Sequence, residues 1–239
     1  MPNLTTMSRR DHPCHWEACH VIFACEVAEL VAYYAISSTL TVYLTTVLQE
    51  TEAEAARNYI IWAGTTFVTP IIGAFVANAF LNAFLRMHSW TIVWSMIIYF
   101  LALVCITVSM SFEPFKPPTC DHHLLTTMCD KPSVPQRVFF YGSLYLMALG
   151  AGGIKACVTA FSADQFDDTD LGQKHERVSF MNWWWFSLSV ERIMGSVAVF
   201  PWVQEQYGWV WVGAIPAGIV GFVTLIIAHP LYYTLNISG

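Results

Sequence analysis

Charge is what this chain has least of. Asp, Glu, Lys and Arg make up 12% of its 239 residues, against roughly 25% in an ordinary soluble domain. Positive charge is scarcer still: 11 Lys and Arg stand against 17 Asp and Glu, for a net charge of -6. Nucleic-acid binding calls for a basic patch or stripe, and this balance argues against one. Seven cysteines are scattered without a single Cys-x-x-Cys pair, which argues against a zinc ribbon. The opening stretch, Met1 to Cys19, lacks the apolar run of a secretory signal and carries Arg9, Arg10, Asp11, His12 and His15 instead.

Apolar residues fill the space that charge leaves. The chain is 56% hydrophobic and 15% aromatic, with a mean hydropathy of +0.49. Six apolar runs follow one another, at about 19–48, 58–80, 89–110, 136–161, 180–203 and 208–233. About 20 residues of helix cross the hydrocarbon core of a bilayer, so these runs predict six membrane-spanning helices and an all-α membrane protein. The breaks between them are polar. Gln49 to Arg57 is a short acidic loop, Glu113 to Pro135 is rich in proline, and Ser162 to Val178 carries Asp164, Asp167, Asp168 and Asp170. Residues 1–18 form a polar tail and 234–239 a short trailing segment.

Six spans put both ends of the chain on one side. Arg9, Arg10, Arg86, Lys174 and Arg177 then share a side, against Arg57, Lys116, Lys131 and Arg137 on the other. That small excess favours a cytosolic tail. Cys120 and Cys129 then share an outer loop, as a disulfide or as two free thiols.

Ionisable groups inside the runs are few: Glu26, Glu29, Lys155, Glu191 and Arg192. A charge at the centre of a membrane helix costs about 2.5–3.5 kcal/mol on insertion scales, so each one needs a reason. Glu26 and Glu29 are three residues apart and share a helix face. Two carboxylates desolvated together cannot both ionise easily, which suits a proton carrier. A lysine on a facing helix would hold one of them charged until a proton or a substrate competes. The alternative is a static ion pair that fixes helix packing. Gly150, Gly152 and Gly153, just before Lys155, strip side chains from one helix face and let a neighbouring backbone come close. Glu191 and Arg192 are adjacent and point in different directions, so each needs a partner elsewhere. Trp183, Trp184 and Trp185 read as an interfacial belt or as cavity lining.

Cys14, His15, Cys19 and His20 have the elements of a metal site without its usual spacing, so no metal site is expected. The histidines sit mostly in the tail and loops, and no nucleophile–base spacing stands out. The chain does not read as an enzyme.

Several stretches carry a likeness. GGIKACVTAFSADQFDD (Gly152 to Asp168) resembles the GGIKPCVSSFGADQFDD signature of the proton-dependent oligopeptide, or peptide/nitrate, transporter family of the major facilitator superfamily. EVAELVAYYAISS (Glu26 to Ser38) resembles the family's ExxER segment with its tyrosine pair. AARNYIIWAGTTFVTPIIGAF (Ala55 to Phe75) and SFMNWWWFS (Ser179 to Ser187) are similar to plant members. The resemblance implies twelve helices in two bundles, of which this chain supplies the amino-terminal one, with residues 19–233 as the bundle and 234–239 as the start of a linker. It implies Glu26, Glu29 and Lys155 as the proton-coupling groups, and Tyr33, Tyr34 and Ser189 as substrate-binding positions. It implies protons as the coupling ion, no cofactor, and symport of nitrate, di- or tripeptides or other small organic anions. The implied partners are membrane lipid, the solute and a second six-helix bundle, in a plasma or vacuolar membrane.

The chain departs from the pattern at functional positions. Leu30 replaces the family arginine, Ala156 the proline after the lysine, and Asn78 an aspartate. About five extra residues precede Trp90, Ser189 stands for a cavity asparagine, and Glu191-Arg192 replace a small pair. These changes support an alternative expectation: a non-transporting half that assembles with full-length relatives.

Overall fold

A computed structural model describes residues 16–81, 87–112, 114–115, 132–164, 182, 185–186, 189–190 and 199–237. Among them every regular element is helical: α1 (Trp16–Thr46), α2 (Glu52–Leu81), α3 (Met87–Ser111), α4 (Val134–Asp164), α5 (Phe200–Tyr207) and α6 (Trp209–Ile237). Among the described residues four helical stretches are long and apolar enough to cross a membrane: Phe23–Thr46, Thr91–Ser111, Val134–Ala156 and Trp209–Ala228. The fifth predicted run falls largely outside the described residues. Its described parts are helical positions at 182, 185–186 and 189–190, and the start of α5.

Local chemistry sets where the helices begin and end. Thr51 and Glu54 form a reciprocal capping box at the start of α2: the Glu54 amide donates to Thr51 Oγ1 (3.3 Å) and the Thr51 amide to Glu54 Oε2 (3.2 Å). These bonds from Thr51, backbone first and hydroxyl second, hold the exposed Glu54 carboxyl below its ordinary range. Ser133 and Gln136 open α4 in a related way, the Ser133 amide donating to Gln136 Oε1 (3.0 Å). Gly208, at φ 86°, ends α5 and sends its amide back to the Gln204 carbonyl at 3.0 Å; a side chain there would be strained. Pro70 lies inside α2 and cannot donate to the Thr66 carbonyl. Thr69 Oγ1 lies 3.2 Å from that carbonyl, a longer contact than its 2.8 Å bond to the Ala148 carbonyl of α4.

The helices close around an apolar seam. Ala28, Ala32, Ile36, Leu40 and Leu44 of α1 repeat every four residues and are buried. They join Met96, Tyr99, Leu103 and Ile106 of α3, and Phe140, Leu144, Met147 and Ile154 of α4. Helix α3 packs on α4 and α6, α2 on α4, and α1 on α6 and α2. The outward faces are apolar too: Phe67, Ile71 and Phe75 of α2, Trp94 of α3, and Phe222 and Leu225 of α6 are all at least 60% exposed. A soluble monomer rarely shows so much contiguous apolar surface. Hydrocarbon is the solvent that fits it, because helices satisfy their backbone groups internally.

Close approach comes from glycine, but on two faces rather than the single face the sequence suggests. A Cβ on Gly150 would stand 2.9 Å from the Tyr99 backbone, and one on Gly153 would collide with Ser95, so both press on α3. Gly152 turns the other way: its Cβ would lie 2.6 Å from Thr69 Cβ on α2, and a Cβ on Gly73 would reach the Gly152 carbonyl at 2.9 Å. Residues i and i+3 share a helix face and i+2 does not. The triplet therefore draws both neighbours onto α4 one turn before Lys155.

Candidate charged site between helices

Glu26, Glu29, Tyr33 and Ser37 lie three, four and four residues apart, so they line one face of α1. On α4, Leu144, Ala148, Gly152 and Lys155 lie four, four and three apart and form a matching row. Where the two rows meet, Lys155 Nζ donates to Glu29 Oε2 at 2.7 Å and stands 3.9 Å from Glu26 Oε1. Glu29 is fully buried and Glu26 is 6% exposed. The Lys155 side chain keeps 26% of its surface open. The three groups are two carboxyls and one ammonium, so the acids outnumber the base. Glu26 Oε2 and Glu29 Oε1 are buried with no hydrogen-bond partner among the described residues. A buried polar atom left unpaired costs about 1–3 kcal/mol, so a donor that reaches either oxygen is stabilising.

The site has a rigid surround. Tyr99 of α3 donates its hydroxyl to the Glu29 carbonyl (3.0 Å). Tyr33 stacks on Trp62 of α2, with ring centroids 5.4 Å apart, and meets Tyr34 edge-on at 5.2 Å. Trp62 is pinned by its indole N–H on the Leu144 carbonyl (3.0 Å). Ser37 Oγ and the Tyr59 hydroxyl are 2.9 Å apart. Leu30, at the position of the family arginine, is 5% exposed and packs as a core side chain. The structure thus brings Glu26, Glu29 and Lys155 together and sets Tyr33 and Tyr34 one to two turns along α1. Ser189 is exposed, its hydroxyl donating to the Trp185 carbonyl at 2.8 Å. Glu191, Arg192, Cys14, His15, Cys120, Cys129, His122 and His123 lie outside the described residues, as do Trp183 and Trp184. Among the described residues no cluster of three or more His, Cys, Asp or Glu is arranged to hold a metal ion.

A third buried carboxylate lies away from this site. Glu50 falls in the acidic stretch that the sequence marks as a short loop, yet its side chain is only 2% exposed. Gln49 takes a left-handed φ of 54°, and the Glu50 amide bonds back to the Leu44 carbonyl at 3.0 Å. This turns the carboxylate inward. Arg137 Nη2 (3.0 Å) and the Tyr141 hydroxyl (2.7 Å) donate to Glu50 Oε1. Asn58 Nδ2 donates to Glu50 Oε2 (2.9 Å) and lies 2.8 Å from the Tyr141 oxygen. The one available signal was the spacing of Arg137 and Tyr141, four apart on the same face of α4.

Known proteins resemble this chain in sequence and in fold. The POT family model matches residues 89–239. Protein NRT1/PTR FAMILY 8.3 of Arabidopsis thaliana is 38% identical over 220 residues, covering 91% of this chain and 36% of that protein. Protein NRT1/PTR FAMILY 5.14 of the same plant is 40% identical over 209 residues, covering 87% and 35%. The chain therefore spans about a third of the length of these relatives. Among solved structures, the POT family transporter PepTSo superposes with a TM-score of 0.67 at 24% identity, over 88% of this chain and 36% of that one. An auto-inhibited POT family peptide transporter aligns equally well, and at this identity both speak for the fold alone. With a six-helix apolar bundle and this sequence kinship, the chain is an integral membrane protein of the major-facilitator type and belongs to the POT family of transporters.

Proposed function

We propose that this chain is the amino-terminal bundle of a proton-coupled carrier of small solutes, and that Glu26, Glu29 and Lys155 handle the proton. The observation that carries this reading is the 2.7 Å ion pair between Lys155 and Glu29 inside an apolar bundle, beside a second carboxylate, with an oxygen on each that no described residue bonds. A buried lysine answers whichever carboxylate is charged. A proton arriving on Glu29 removes the attraction that holds Lys155 there. The ammonium group is then free to turn to Glu26 or to a negative group on the solute. Returning the proton restores the first pair. Binding and protonation thus compete for one cation, which is the coupling that a symporter needs.

Tyr33, Tyr34 and Ser189 are the positions proposed to meet the solute. Nitrate, a di- or tripeptide and other small organic anions all carry a negative group that Lys155 could attract. Solute access between two bundles needs a second bundle rocking against this one around a shared site. We assign residues 19–233 to the first bundle, with 1–18 as a cytosolic tail and 234–239 leading toward the second. A plasma or vacuolar membrane is the proposed location.

One observation favours a second reading. Leu30 is packed in the core where the family has an arginine, so Lys155 is the one cation within 4.0 Å of either carboxylate among the described residues. A half that assembles with full-length relatives without transporting would tolerate that loss. Uptake of labelled nitrate and of a labelled dipeptide decides between the two. It is measured in vesicles holding the chain together with a second six-helix bundle, with and without an inward proton gradient. Gradient-dependent uptake of either supports the carrier. None, from protein shown to be folded and inserted, supports the non-transporting half.

A further inference from the structure

The geometry points to Glu50 and its partners as a positioning device that sets where Lys155 stands. It rests on the reading of the Glu29–Lys155 pair as the working site.

Two ion pairs tie the first stretch of chain to α4: Glu29 of α1 to Lys155, and Glu50, in the turn between α1 and α2, to Arg137. The pairs lie 21 residues apart along the first strand of chain and 18 along the second, in opposite directions, as two antiparallel segments require. At 1.5 Å per residue the α4 span is about 27 Å, close to the thickness of the hydrocarbon core. The two pairs thus hold α4 at its start and again at Lys155, about the width of the hydrocarbon core away.

Between the two pairs, α4 is held along a single row. Arg137, Tyr141, Leu144, Ala148, Gly152 and Lys155 follow at intervals of four, three, four, four and three. The first two bind Glu50. The Leu144 carbonyl takes the Trp62 indole N–H (3.0 Å), and the Ala148 carbonyl takes Thr69 Oγ1 (2.8 Å). Gly152 then rests on Thr69. Each rung fixes both the height and the rotation of α4, and the row ends at Lys155. A slip of one residue would rotate the ammonium about 100° away from Glu29.

The clasp at Glu50 is built to hold still. Its carboxylate accepts from three donors on two helices, and Asn58 also meets Tyr141, so Glu50, Asn58 and Tyr141 close a ring to which Arg137 adds a fourth group. A fully satisfied polar network rigidifies its surroundings. The left-handed Gln49 costs free energy in a non-glycine residue, and its effect is to aim Glu50 at this ring.

The test reads the Lys155 ammonium group directly, so failed transport and failed positioning give separate results. The full chain is prepared in lipid nanodiscs with isotope-labelled lysine, and Lys155→Gln identifies the Lys155 resonance. Glu50→Gln and Arg137→Ala should each shift that resonance toward those of freely exchanging lysines and speed its hydrogen exchange. Arg137→Lys should restore it, since a single guanidinium nitrogen makes the contact. If Glu50→Gln loses helical circular dichroism, Tyr141→Phe, which removes only one donor, should show the same shift to a smaller degree. An unchanged Lys155 resonance in folded Arg137→Ala and Tyr141→Phe would overturn the inference. So would a failure of Arg137→Lys to restore it.

Discussion

Two buried carboxylate clusters both draw on α4, and they are built on opposite plans. At Glu50 one carboxylate meets three donors, both oxygens are bonded, and the cation that balances it is half exposed to solvent. At Glu26 and Glu29 two carboxylates compete for one lysine, and each keeps a buried oxygen with no partner among the described residues. Depth alone does not separate them, since Glu29 and the Glu50 carboxylate are both almost wholly buried. What separates them is saturation. A saturated cluster has nothing to gain from a new partner. An undersaturated one gains from any proton, cation or donor that reaches it, and so can respond to its surroundings. The contrast says which cluster is expected to work and which to hold.

The largest effect should come from emptying the undersaturated cluster of its cation. Lys155→Ala leaves Glu29 uncompensated, a loss of about 3–5 kcal/mol if the carboxylate stayed charged. We expect proton-driven uptake to vanish in the transporting assembly while exchange of solute across the membrane persists, both followed with labelled solute. Retained proton-driven uptake would reduce Lys155 to packing. Next comes the approach that lets Lys155 reach its partner. Gly152→Ala drives a methyl group into Thr69, and such overpacking costs about 1–3 kcal/mol. Thermal unfolding in detergent should show it, while Gly64→Ala, which meets open space on α2, should leave stability unchanged or slightly raised.

Single hydroxyls give a finer comparison. Tyr141→Phe removes a bond to a charged group, worth about 1.5–3 kcal/mol, whereas Tyr99→Phe removes a bond to a neutral carbonyl, worth about 0.5–1.5 kcal/mol. Denaturant titration of the two variants should rank them in that order; equal losses would mean that the Glu50 ring is not closed in the membrane. The smallest effect concerns Glu54. Its carboxyl is held below the ordinary range by Thr51, so its contribution is present at neutral pH and disappears as the pH falls through that lowered value. The Thr51 amide resonance should move over that acidic window, and Glu54→Gln should abolish the movement.

The sequence made much of this visible. Apolar runs long enough to span, broken by acidic or proline-rich loops, carried the all-helical membrane fold. The fold class followed from solvent physics alone, because charge this scarce cannot cover a water-facing surface. Lys155 was legible because a lysine in an apolar run has a cost that something must offset. Glu26 and Glu29 were legible from their spacing, and the glycines before Lys155 from their lack of side chains. Glu50 was not legible. It sits among Glu52, Glu54 and Arg57, where charges are ordinarily solvated, and only the fold shows that a left-handed Gln49 turns it inward. Its partner Arg137 lies 87 residues away, too far for any local pattern. The division of the glycine triplet between two neighbours was hidden for a related reason. Periodicity gives the faces of a helix but not what packs on each.

The most direct test of saturation against response is an infrared titration of the full chain in lipid nanodiscs. It follows the carboxylic C=O stretch of acids excluded from water as the medium is acidified. The account predicts a reversible band that disappears in the Glu26→Gln, Glu29→Gln double variant and persists in Glu50→Gln. A band that persists without Glu26 and Glu29 and disappears without Glu50 would contradict it, and would make the saturated cluster the one that takes the proton.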